Sequence, residues 1–516
     1  MCIRLAAAVA FGACGDNGSG PGTPDGALFD AAPDAAVPLA FVSGPTFTLA
    51  PNPSTPLAGR LELATNRPTR VALAISDPDR AFTVDLGAQL GARATAHVAP
   101  VLGFRPATAH LLTVTVTDDS GEVLTAPPIA VTTAALPAGF PTFTANRLAP
   151  AQIEPGVTLT AQSRYAMAID DAGKVVWYSD LGEGMEDVRR LGNGHLLINL
   201  GNHIAAVEID VLGNELRRWH AAGSTPGTPG SIPVAIDSFH HELGELPGGD
   251  RFTLATELKT YSGYPTSELD ATPQTSPQGV VGDVVVQFAQ DGTVVRRYSM
   301  LDRLDPYRLG YGSFGTFWLA FYGSSATVDW SHGNAVFPDP GDGGFLVSLR
   351  HQDALVKLDA SGALQWILGT HDNWGPAFAP YLLTPVGTLS WQFHQHGPRI
   401  LADGHILVFD NGNFRVSPPA PKPATNYSRA VEYAVDPQRM EVRQVWQYDA
   451  GQTIYAPATG NIDVGAVTGN VIICFGGASR IVEVTHAEPP VKVFELSANR
   501  TLYRAVRVAT LYPPAS

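Results

Sequence analysis

The sequence predicts an all-β protein in which a six-bladed β-propeller follows a small β-sandwich domain. Three observations predict this fold. Gly and Pro are abundant, with 52 and 42 of 516 residues; β-branched residues fall in short runs between them; and a strand–turn–strand unit recurs along the chain. The length exceeds that of one ordinary core, so at least two domains are expected.

The first residues resemble a bacterial export signal. Arg4 precedes an apolar stretch, and a Gly-Ala-Cys box ends at Cys14. This order predicts a lipoprotein-type signal over 1–14 with Cys14 lipidated; an ordinary signal peptide with an incidental cysteine is the alternative. The Gly-, Pro-, Ala- and Asp-rich stretch 15–38 predicts a flexible tether. We therefore expect a periplasmic or cell-surface protein that is lipid-anchored to a membrane.

The segment 39–136 predicts the N-terminal β-sandwich. Its alternating runs RLELAT, RVALAIS, LLTVTVTD and IAVTTA are separated by turn residues, and DDSG at 118–121 predicts a hairpin turn. The pattern is typical of a fibronectin type III-like module. We see no catalytic constellation in it, so the expected role is a spacer or a contact in a homodimer.

Residues 140–513 repeat two kinds of hairpin. One kind includes DVVVQFAQDGTVVRRYSM and DALVKLDASGALQWILGT, and the other includes LGNGHLLINL, GDGGFLVSLR and LADGHILVFD. Two hairpins per repeat, six times, predict a propeller whose inner strands converge on a central channel. Side chains that stand at the start of each inner strand are therefore expected to face one axis.

Three histidines stand at matching places in consecutive repeats. His241 and His396 each lie eight residues before a turn glycine, and His332 lies twelve before one, the difference being assigned to a PDPG insertion. Glu186 and Asn461 share the eight-residue spacing. This register predicts that the three imidazoles meet at the channel mouth.

The other histidines are interpreted from their local positions. His240 precedes His241 and should point elsewhere if the backbone is extended, because successive side chains alternate faces. His394 stands two residues before His396 and could share its face. Both are secondary candidates for substrate contacts. The rest are read as surface or structural residues: His195, His351, His371 and His405.

Arg350 and Asn334 indicate what the histidines would bind. Arg350 ends the strand that follows His332, and Asn334 lies two residues after that histidine. A guanidinium beside a divalent cation is electrostatically unfavourable, whereas Arg, protonated His and an amide NH₂ suit a tetrahedral oxyanion. A sulfate or phosphate ester is the expected occupant, and one neutral imidazole could attack it.

Two other functions remain open at this point. Three histidines could hold zinc or iron in a metal-dependent hydrolase or lyase, and a surface propeller could bind partners without catalysis. The net charge of −15 at pH 7 argues against a nucleic-acid surface. Three cysteines exclude a disulfide scaffold and a Cys-based zinc site. We find no Gly-rich phosphate loop, and no cofactor is expected.

The segments FHHELGELPGGD, DWSHGNAV…VSLR and WQFHQHGP…LADGHILVFDNGNFR resemble the bacterial arylsulfate sulfotransferase family across the whole propeller. The resemblance implies ping-pong transfer of a sulfuryl group from a phenolic sulfate to a phenolic acceptor, without a nucleotide donor. It implies that His396 is the nucleophile and forms a transient sulfohistidine. The sulfuryl group would then contact four further residues: His241, His332, Asn334 and Arg350.

Overall fold

The computed structural model describes residues 37–87, 91–323 and 327–514. Nearly all regular structure in these ranges is β-strand. The predicted signal 1–14, including Cys14, and the tether up to residue 36 lie outside the described residues. Among the residues described, no helix is long and apolar enough to cross a membrane.

The N-terminal sheet has seven strands. They are β1 (Phe41–Leu49), β2 (Gly59–Ser76), β3 (Ala81–Asp85), β4 (Ala94–Val101), β5 (Ala109–Asp118), β6 (Val123–Thr125) and β7 (Ile129–Thr132). The first half of β2 pairs mainly with β1 and β4, and its second half pairs with β3 and β5. Alternate residues of β2 are buried, as expected for a strand with one face on a core. The fibronectin type III-like class stays a prediction.

Six sheets of four or five strands form the propeller. Blade 1 contains β9 (Val157–Gln162), β10 (Tyr165–Ile169), β11 (Val175–Asp180) and β37 (Ala505–Val508). Blade 2 contains β12 (Met185–Arg190), β13 (Leu196–Leu200), β14 (Ala205–Ile209), β15 (Glu215–Ala221) and β16 (Ile232–Val234). Blade 3 contains β17 (His240–Glu245), β18 (Arg251–Tyr261), β21 (Gln278–Phe288), β22 (Val294–Ser299) and β23 (Thr327–Asp329), and a hairpin of β19 (Pro265–Ser267) and β20 (Asp270–Pro273) extends from it.

The remaining blades complete the ring. Blade 4 contains β24 (Gly333–Pro338), β25 (Phe345–Leu349), β26 (Ala354–Leu358) and β27 (Leu364–Gly369). Blade 5 contains β28 (Thr384–Pro385), β29 (His396–Ile400), β30 (Ile406–Asp410), β31 (Arg429–Asp436) and β32 (Glu441–Tyr448). Blade 6 contains β33 (Asn461–Val464), β34 (Val471–Phe475), β35 (Arg480–Val484), β36 (Lys492–Ala498) and β8 (Phe143–Arg147). This arrangement confirms the predicted six-bladed propeller.

Short helices connect some of these strands. The only α-helix in the described ranges is α1 (Leu319–Tyr322), and the 3₁₀ helices are Pro150–Gln152, Arg350–Gln352, Pro376–Tyr381, Ala450–Gln452 and Gly476–Ala478. The ring is closed twice, because β37 pairs with β9 in blade 1 and β8 pairs with β36 in blade 6. The inner strands of neighbouring blades contact one another around the axis. The predicted boundaries 39–136 and 140–513 stay predictions.

Buried aromatic side chains join one blade to the next. An indole N–H or phenol O–H inside a core needs a hydrogen-bond partner, and here the partner is a turn carbonyl of the following blade. The bonds are Trp177 Nε1 to Val211 O (2.8 Å), Trp219 Nε1 to Gln290 O (2.9 Å), Tyr298 OH to Ala360 O (2.7 Å) and Trp446 Nε1 to Ala487 O (3.0 Å). The recurrent aromatic of the hairpin repeat thus holds adjacent blades in register.

The N-terminal domain is fastened to blade 1. Arg105 forms an ion pair with Asp170 at 2.7 Å. The buried Tyr512 hydroxyl accepts from Leu102 N at 2.9 Å and donates to Leu102 O at 3.1 Å. Both backbone polar groups of the buried Leu102 therefore depend on a single side-chain oxygen.

We predict that Tyr512→Phe destabilises the protein by about 1–3 kcal/mol, because it leaves the N–H and C=O of Leu102 buried without a partner. Tyr307→Phe is the matched control, since that exposed hydroxyl donates to Ser262 O at the surface. Urea unfolding followed by fluorescence measures both. Equal effects of the two substitutions would contradict the role assigned to Tyr512.

Candidate functional site

Imidazole rings from blades 3, 4 and 5 line up at one end of the channel. The ring centroids of His241 and His332 are 5.1 Å apart, those of His332 and His351 are 4.7 Å apart in a stacked pair, and those of His351 and His394 are 6.0 Å apart. His396 belongs to the same site, because Arg350, His241 and His332 all act on its protonation. The predicted histidines are therefore brought together.

The strand ladder does not make the three predicted histidines equivalent, so the glycine register is wrong on this point. In blade 5, His396 pairs with the fourth residue of β30. In blade 3, the residue that pairs with the fourth position of β18 is His240, one place before the predicted histidine. In blade 4, Gly333, which follows His332, pairs with the fifth residue of β25. A register shift interrupts the inner strand of each of these blades. Such bulges change the direction in which side chains point. They allow His241, His332 and His396 to reach the same end of the channel although their registers differ.

The backbone is strained at this end of the channel. His241, His332 and His394 have φ of 54°, 44° and 53°. The left-handed region costs an ordinary L-residue on the order of 1–2 kcal/mol, and such strain clusters at functional sites. Three histidines in this conformation at the starts of three consecutive inner strands are therefore a second, independent sign of a functional site.

His396 has a neutral partner at its ring. Its Nδ1 lies 2.6 Å from Asn411 Oδ1. The Asn411 amide cannot be reversed, because Nδ2 donates to Ala456 O at 2.7 Å and Thr459 O at 3.0 Å. His396 Nδ1 must therefore carry the proton, and Nε2 holds a lone pair with no hydrogen-bond partner among the described residues. Burial and then the Arg350 charge keep the pKa of His396 well below its ordinary value.

The other pocket histidines have carboxylate partners instead. His241 Nδ1 donates to Glu186 Oε1 at 2.8 Å, and its Nε2 is buried without a partner. His332 Nδ1 is hydrogen-bonded to Asp329, and His394 Nδ1 lies 2.9 Å from the carboxylate of a third acid, Asp353. Burial raises the pKa of Asp329 to about 6 and that of Asp353 to about 8. Burial also lowers the pKa of His241, although Glu186 opposes the shift.

Arg350 is held in place from two sides. Its NH1 donates to His351 Nε2 at 2.8 Å, and its NH2 donates to Pro457 O at 3.2 Å. His351 Nδ1 in turn donates to Asp329 O at 2.8 Å, so both ring nitrogens of His351 are used. Two of the five guanidinium N–H groups are thus engaged, and the other three are left to bind an anion. His351 was predicted to be a surface or structural residue; the surface alternative was wrong, because His351 is buried beside Arg350 and His332.

Asn334 and His240 lie at the site but are engaged by the protein. Asn334 Nδ2 donates to Gln395 O at 2.8 Å, and its Oδ1 is a buried acceptor without a partner in the described part of the chain. His240 is fully buried, and its Nε2 lies 3.2 Å from Asp283 Oδ1. His240 thus faces a carboxylate within blade 3. Contacts of Asn334, His240 and His394 with substrate stay predictions.

Aromatic side chains cover the mouth. Phe317 is half exposed, and its ring meets His332 edge-on at 5.0 Å and lies nearly parallel to His241 at 6.0 Å. The Tyr503 ring lies parallel to that of His241 at 5.9 Å with an interplanar angle of 9°, and its hydroxyl lies 2.9 Å from His241 Nδ1. These rings give the polar pocket an apolar rim of the kind that an aryl group could contact.

Several of these residues were missed by sequence reasoning. Glu186 carries the same eight-residue spacing as His241 and could have been identified as its partner. Asp329 lies three residues before His332, and Asp353 follows Arg350 by three. Asn411 and Tyr503 lie in loops outside the hairpin register, and no spacing signals them.

Several of the side-chain atoms in this pocket that could bind a cation already take part in hydrogen bonds within the protein. One cluster with ligand atoms within 4.8 Å of one another is Asp329, His332 and His351, which differs from the predicted three-His set. Both nitrogens of His351 are already hydrogen-bonded, one of them to the Arg350 guanidinium. A divalent cation here would stand beside that fixed positive charge, so the residues suit an anion better than a metal.

The fold and the site define a propeller whose channel mouth carries a desolvated pocket of imidazoles and one guanidinium. The family model described as arylsulfotransferase (ASST) matches residues 142–506, so the chain belongs to the arylsulfotransferase family. It is 30% identical over 175 residues to arylsulfate sulfotransferase AssT of Escherichia coli O6:H1 (30% of this chain, 29% of that protein). It is 29% identical over 181 residues to AssT of Lelliottia amnigena (31% and 30%). The matched stretch thus spans less than a third of each relative.

Two more distant proteins of solved structure also align with this chain. A protein of unknown function from Bacteroides caccae aligns with a TM-score of 0.39 at 13% identity, over 69% of this chain and 99% of that one. Virginiamycin B lyase from Staphylococcus aureus aligns with a TM-score of 0.35 at 10% identity, over 69% and 99%.

We predict that His351→Leu lowers kcat/KM for an aryl sulfate about tenfold to a hundredfold, because Arg350 loses its NH1 acceptor and its orientation. His351→Gln should recover part of the loss, since its side-chain oxygen can accept from the guanidinium. Steady-state kinetics of both variants, alone and combined with Arg350→Ala, provide the measurement. If His351 acts through Arg350, the losses in the double variant are far from additive; additive losses, or no difference between Leu and Gln, would contradict this role.

Proposed function

We propose that the protein transfers a sulfuryl group from a phenolic sulfate ester to a phenol through a covalent sulfohistidine on His396. The observation that supports His396 most directly is its Nδ1 partner. His396 donates to the neutral amide of Asn411, whereas the other three pocket histidines face carboxyl groups: His241, His332 and His394. An ionised carboxylate raises the proton affinity of an imidazole more than a neutral amide does, and burial together with the Arg350 charge lowers the pKa of His396. His396 is therefore well suited to stay unprotonated.

In the first half-reaction, the His396 Nε2 lone pair attacks sulfur. The bond from sulfur to the aryl oxygen breaks, and the phenolate leaves with the bonding electron pair. His396 keeps its Nδ1–H, so the sulfated ring carries a positive charge that the Asn411 oxygen stabilises. Transfer of this group is expected to pass through a loose transition state with charge on the leaving and peripheral oxygens. Arg350 and the neighbouring imidazoles would stabilise that charge.

In the second half-reaction, a phenol oxygen attacks sulfur and the bond to His396 Nε2 breaks. His241 is the side chain best placed to move the proton, because its Nδ1–H is held by Glu186 and its Nε2 is buried without a partner in the described part of the chain. In its imidazolium form, His241 would give the Nε2 proton to the leaving phenolate in the first half-reaction, and neutral His241 would take a proton at Nε2 from the acceptor phenol in the second. The net proton count over one cycle is therefore zero.

The wider context of the activity rests on the sequence. A phenolic donor needs no nucleotide-binding loop, and none was found. Export, lipidation of Cys14, anchoring to a membrane surface and a homodimer are supported by the sequence patterns alone and stay proposals. The aromatic rim of Phe317 and Tyr503 supports aryl groups as donor and acceptor.

Turnover of a chromogenic aryl sulfate with added phenol tests the proposed function. We expect release of the first phenol to depend on the second, with parallel double-reciprocal lines that indicate a ping-pong order. His396→Asn should abolish turnover, because the nucleophile is lost, and His371→Asn, at a histidine whose Nε2 meets Leu383 O, should retain it. Intersecting lines would contradict the covalent route, and an active His396→Asn variant would contradict the assignment of the nucleophile.

The neutral partner of His396 gives a pH prediction. Because the pKa of His396 is lowered, the neutral imidazole persists when the pH is below the ordinary histidine pKa. It is lost only when the pH falls through the lowered pKa. Asn411→Asp should raise the pKa of His396 and move the acid limb of kcat/KM to higher pH. The pH profile of both proteins measures this shift. An acid limb that stays in place, or moves to lower pH, would show that another group controls it.

A further inference from the structure

We propose that a divalent cation of the zinc type binds at the end of blade 5 opposite the channel mouth, at Asp403, His405 and Glu432. The ligand atoms of these residues lie within 4.8 Å of one another. His405 Nδ1 is 2.7 Å from Glu432 Oε1 and 3.4 Å from Asp403 Oδ2. Asp403 and His405 belong to the turn between β29 and β30, and Glu432 projects from β31, so a hairpin and its neighbouring strand supply the set.

A second imidazole reaches the same carboxylate from the next blade. His486, in the loop between β35 and β36 of blade 6, lies with Nε2 2.5 Å from Glu432 Oε2. Trp446 fixes this loop, since its Nε1 donates to Ala487 O at 3.0 Å and its ring meets His486 edge-on at 5.1 Å. His486 therefore orients Glu432, as hydrogen-bond partners of metal-ligating carboxylates commonly do.

Blade 2 contains the same arrangement without a cation site. His195 lies on the matching turn, with Nδ1 2.7 Å from Glu208 Oε1. Its turn carries the neutral Asn193 where blade 5 has Asp403. Two guanidinium groups, Arg217 at 3.0 Å and Arg251 at 3.3 Å, neutralise the Glu208 Oε2 atom. Blade 2 thus provides the positive charge from its own side chains.

Blade 5 lacks that charge. No Arg or Lys forms an ion pair with Asp403 or Glu432 in the described part of the chain, and imidazoles are their only ion-pair partners there. The two carboxylates therefore lack the guanidinium partners that Glu208 has in blade 2. Imidazole nitrogen and carboxylate oxygen are the donors that zinc takes in proteins, so a bound cation would take the place of those guanidinium groups.

The geometry allows the cation to enter. Zinc–ligand distances of about 2.0–2.2 Å place two ligands roughly 3–4 Å apart. His405 Nδ1 and Asp403 Oδ2, at 3.4 Å, already lie in this range, whereas His405 Nδ1 and Glu432 Oε1, at 2.7 Å, must move slightly apart. The side chains of Asp403 and His405 are 59% and 32% exposed and can rotate, whereas that of Glu432 is 5% exposed and fixed. Solvent-facing ligands above one buried carboxylate also leave room for a water ligand.

Equilibrium dialysis of the full chain against Zn²⁺ at neutral pH, after removal of bound metal with a chelator, tests this site. We expect wild-type protein to bind one Zn²⁺ per chain at the site, and Asp403→Asn and His405→Gln each to weaken that binding tenfold or more. The matched control is His195→Gln, which removes the same imidazole–carboxylate pair in blade 2 and should leave Zn²⁺ binding unchanged. Added Zn²⁺ should raise the melting temperature of wild type and of the control but not of the blade 5 variants.

His332→Gln separates this site from the channel mouth. Unchanged Zn²⁺ binding in that variant is the expected result. Loss of binding in His332→Gln with retention in His405→Gln would place the ion at the catalytic pocket and overturn the proposal. Absence of Zn²⁺ binding to wild type, or equal binding by wild type and both blade 5 variants, would overturn it as well. Sulfotransfer activity has no part in the readout, so failure here leaves the proposed function untouched.

Discussion

The hydrogen bond from His396 Nδ1 to Asn411 Oδ1 is the contact on which the chemistry of the channel mouth depends. It fixes the tautomer, and the tautomer leaves the Nε2 lone pair without a hydrogen-bond partner in the described part of the chain. Asn411 can accept this bond because its own amide group donates to two carbonyls of the loop that leads into blade 6. An ionised carboxylate at the same place would favour the imidazolium more than the amide does and would raise the pKa of His396. His396 therefore differs from the histidines around it in having a neutral side chain as the partner of its Nδ1.

Burial and charge act together on this pocket. Desolvation disfavours every imidazolium in it, and the Arg350 guanidinium adds to the effect on His396 and His332. The same guanidinium would be the main attraction for a sulfuryl group, and His351 orients it without competing as a nucleophile, since both of its nitrogens are used. Burial is thus the larger cause of the lowered pKa values, and the charge that would bind the anion adds to it. The pocket can therefore hold several histidines and still contain an unprotonated nucleophile.

Much of the fold could be predicted from the sequence because each propeller blade contributes the same strand–turn–strand pattern. The recurrence predicted six blades and placed His241, His332 and His396 near one axis. The glycine spacing could not reveal the bulges that set the final register, because a bulge adds residues without a signal of its own. Asn411 and Tyr503 come from loops whose paths depend on tertiary contacts. His351 was misread because its 3₁₀ turn carries it inward, next to Arg350. The family resemblance ranked His396 first, and the hydrogen-bond partners supply a physical reason.

Mass spectrometry of the protein quenched rapidly after mixing with an aryl sulfate and no acceptor tests the covalent route. We expect one acid-labile sulfuryl group per chain, an added mass of about 80 Da, on the peptide that contains His396. The group should disappear when a phenol is added before the quench. A sulfuryl group on His241 or His332, or an active protein that carries no adduct at the earliest quench times, would contradict the central claim.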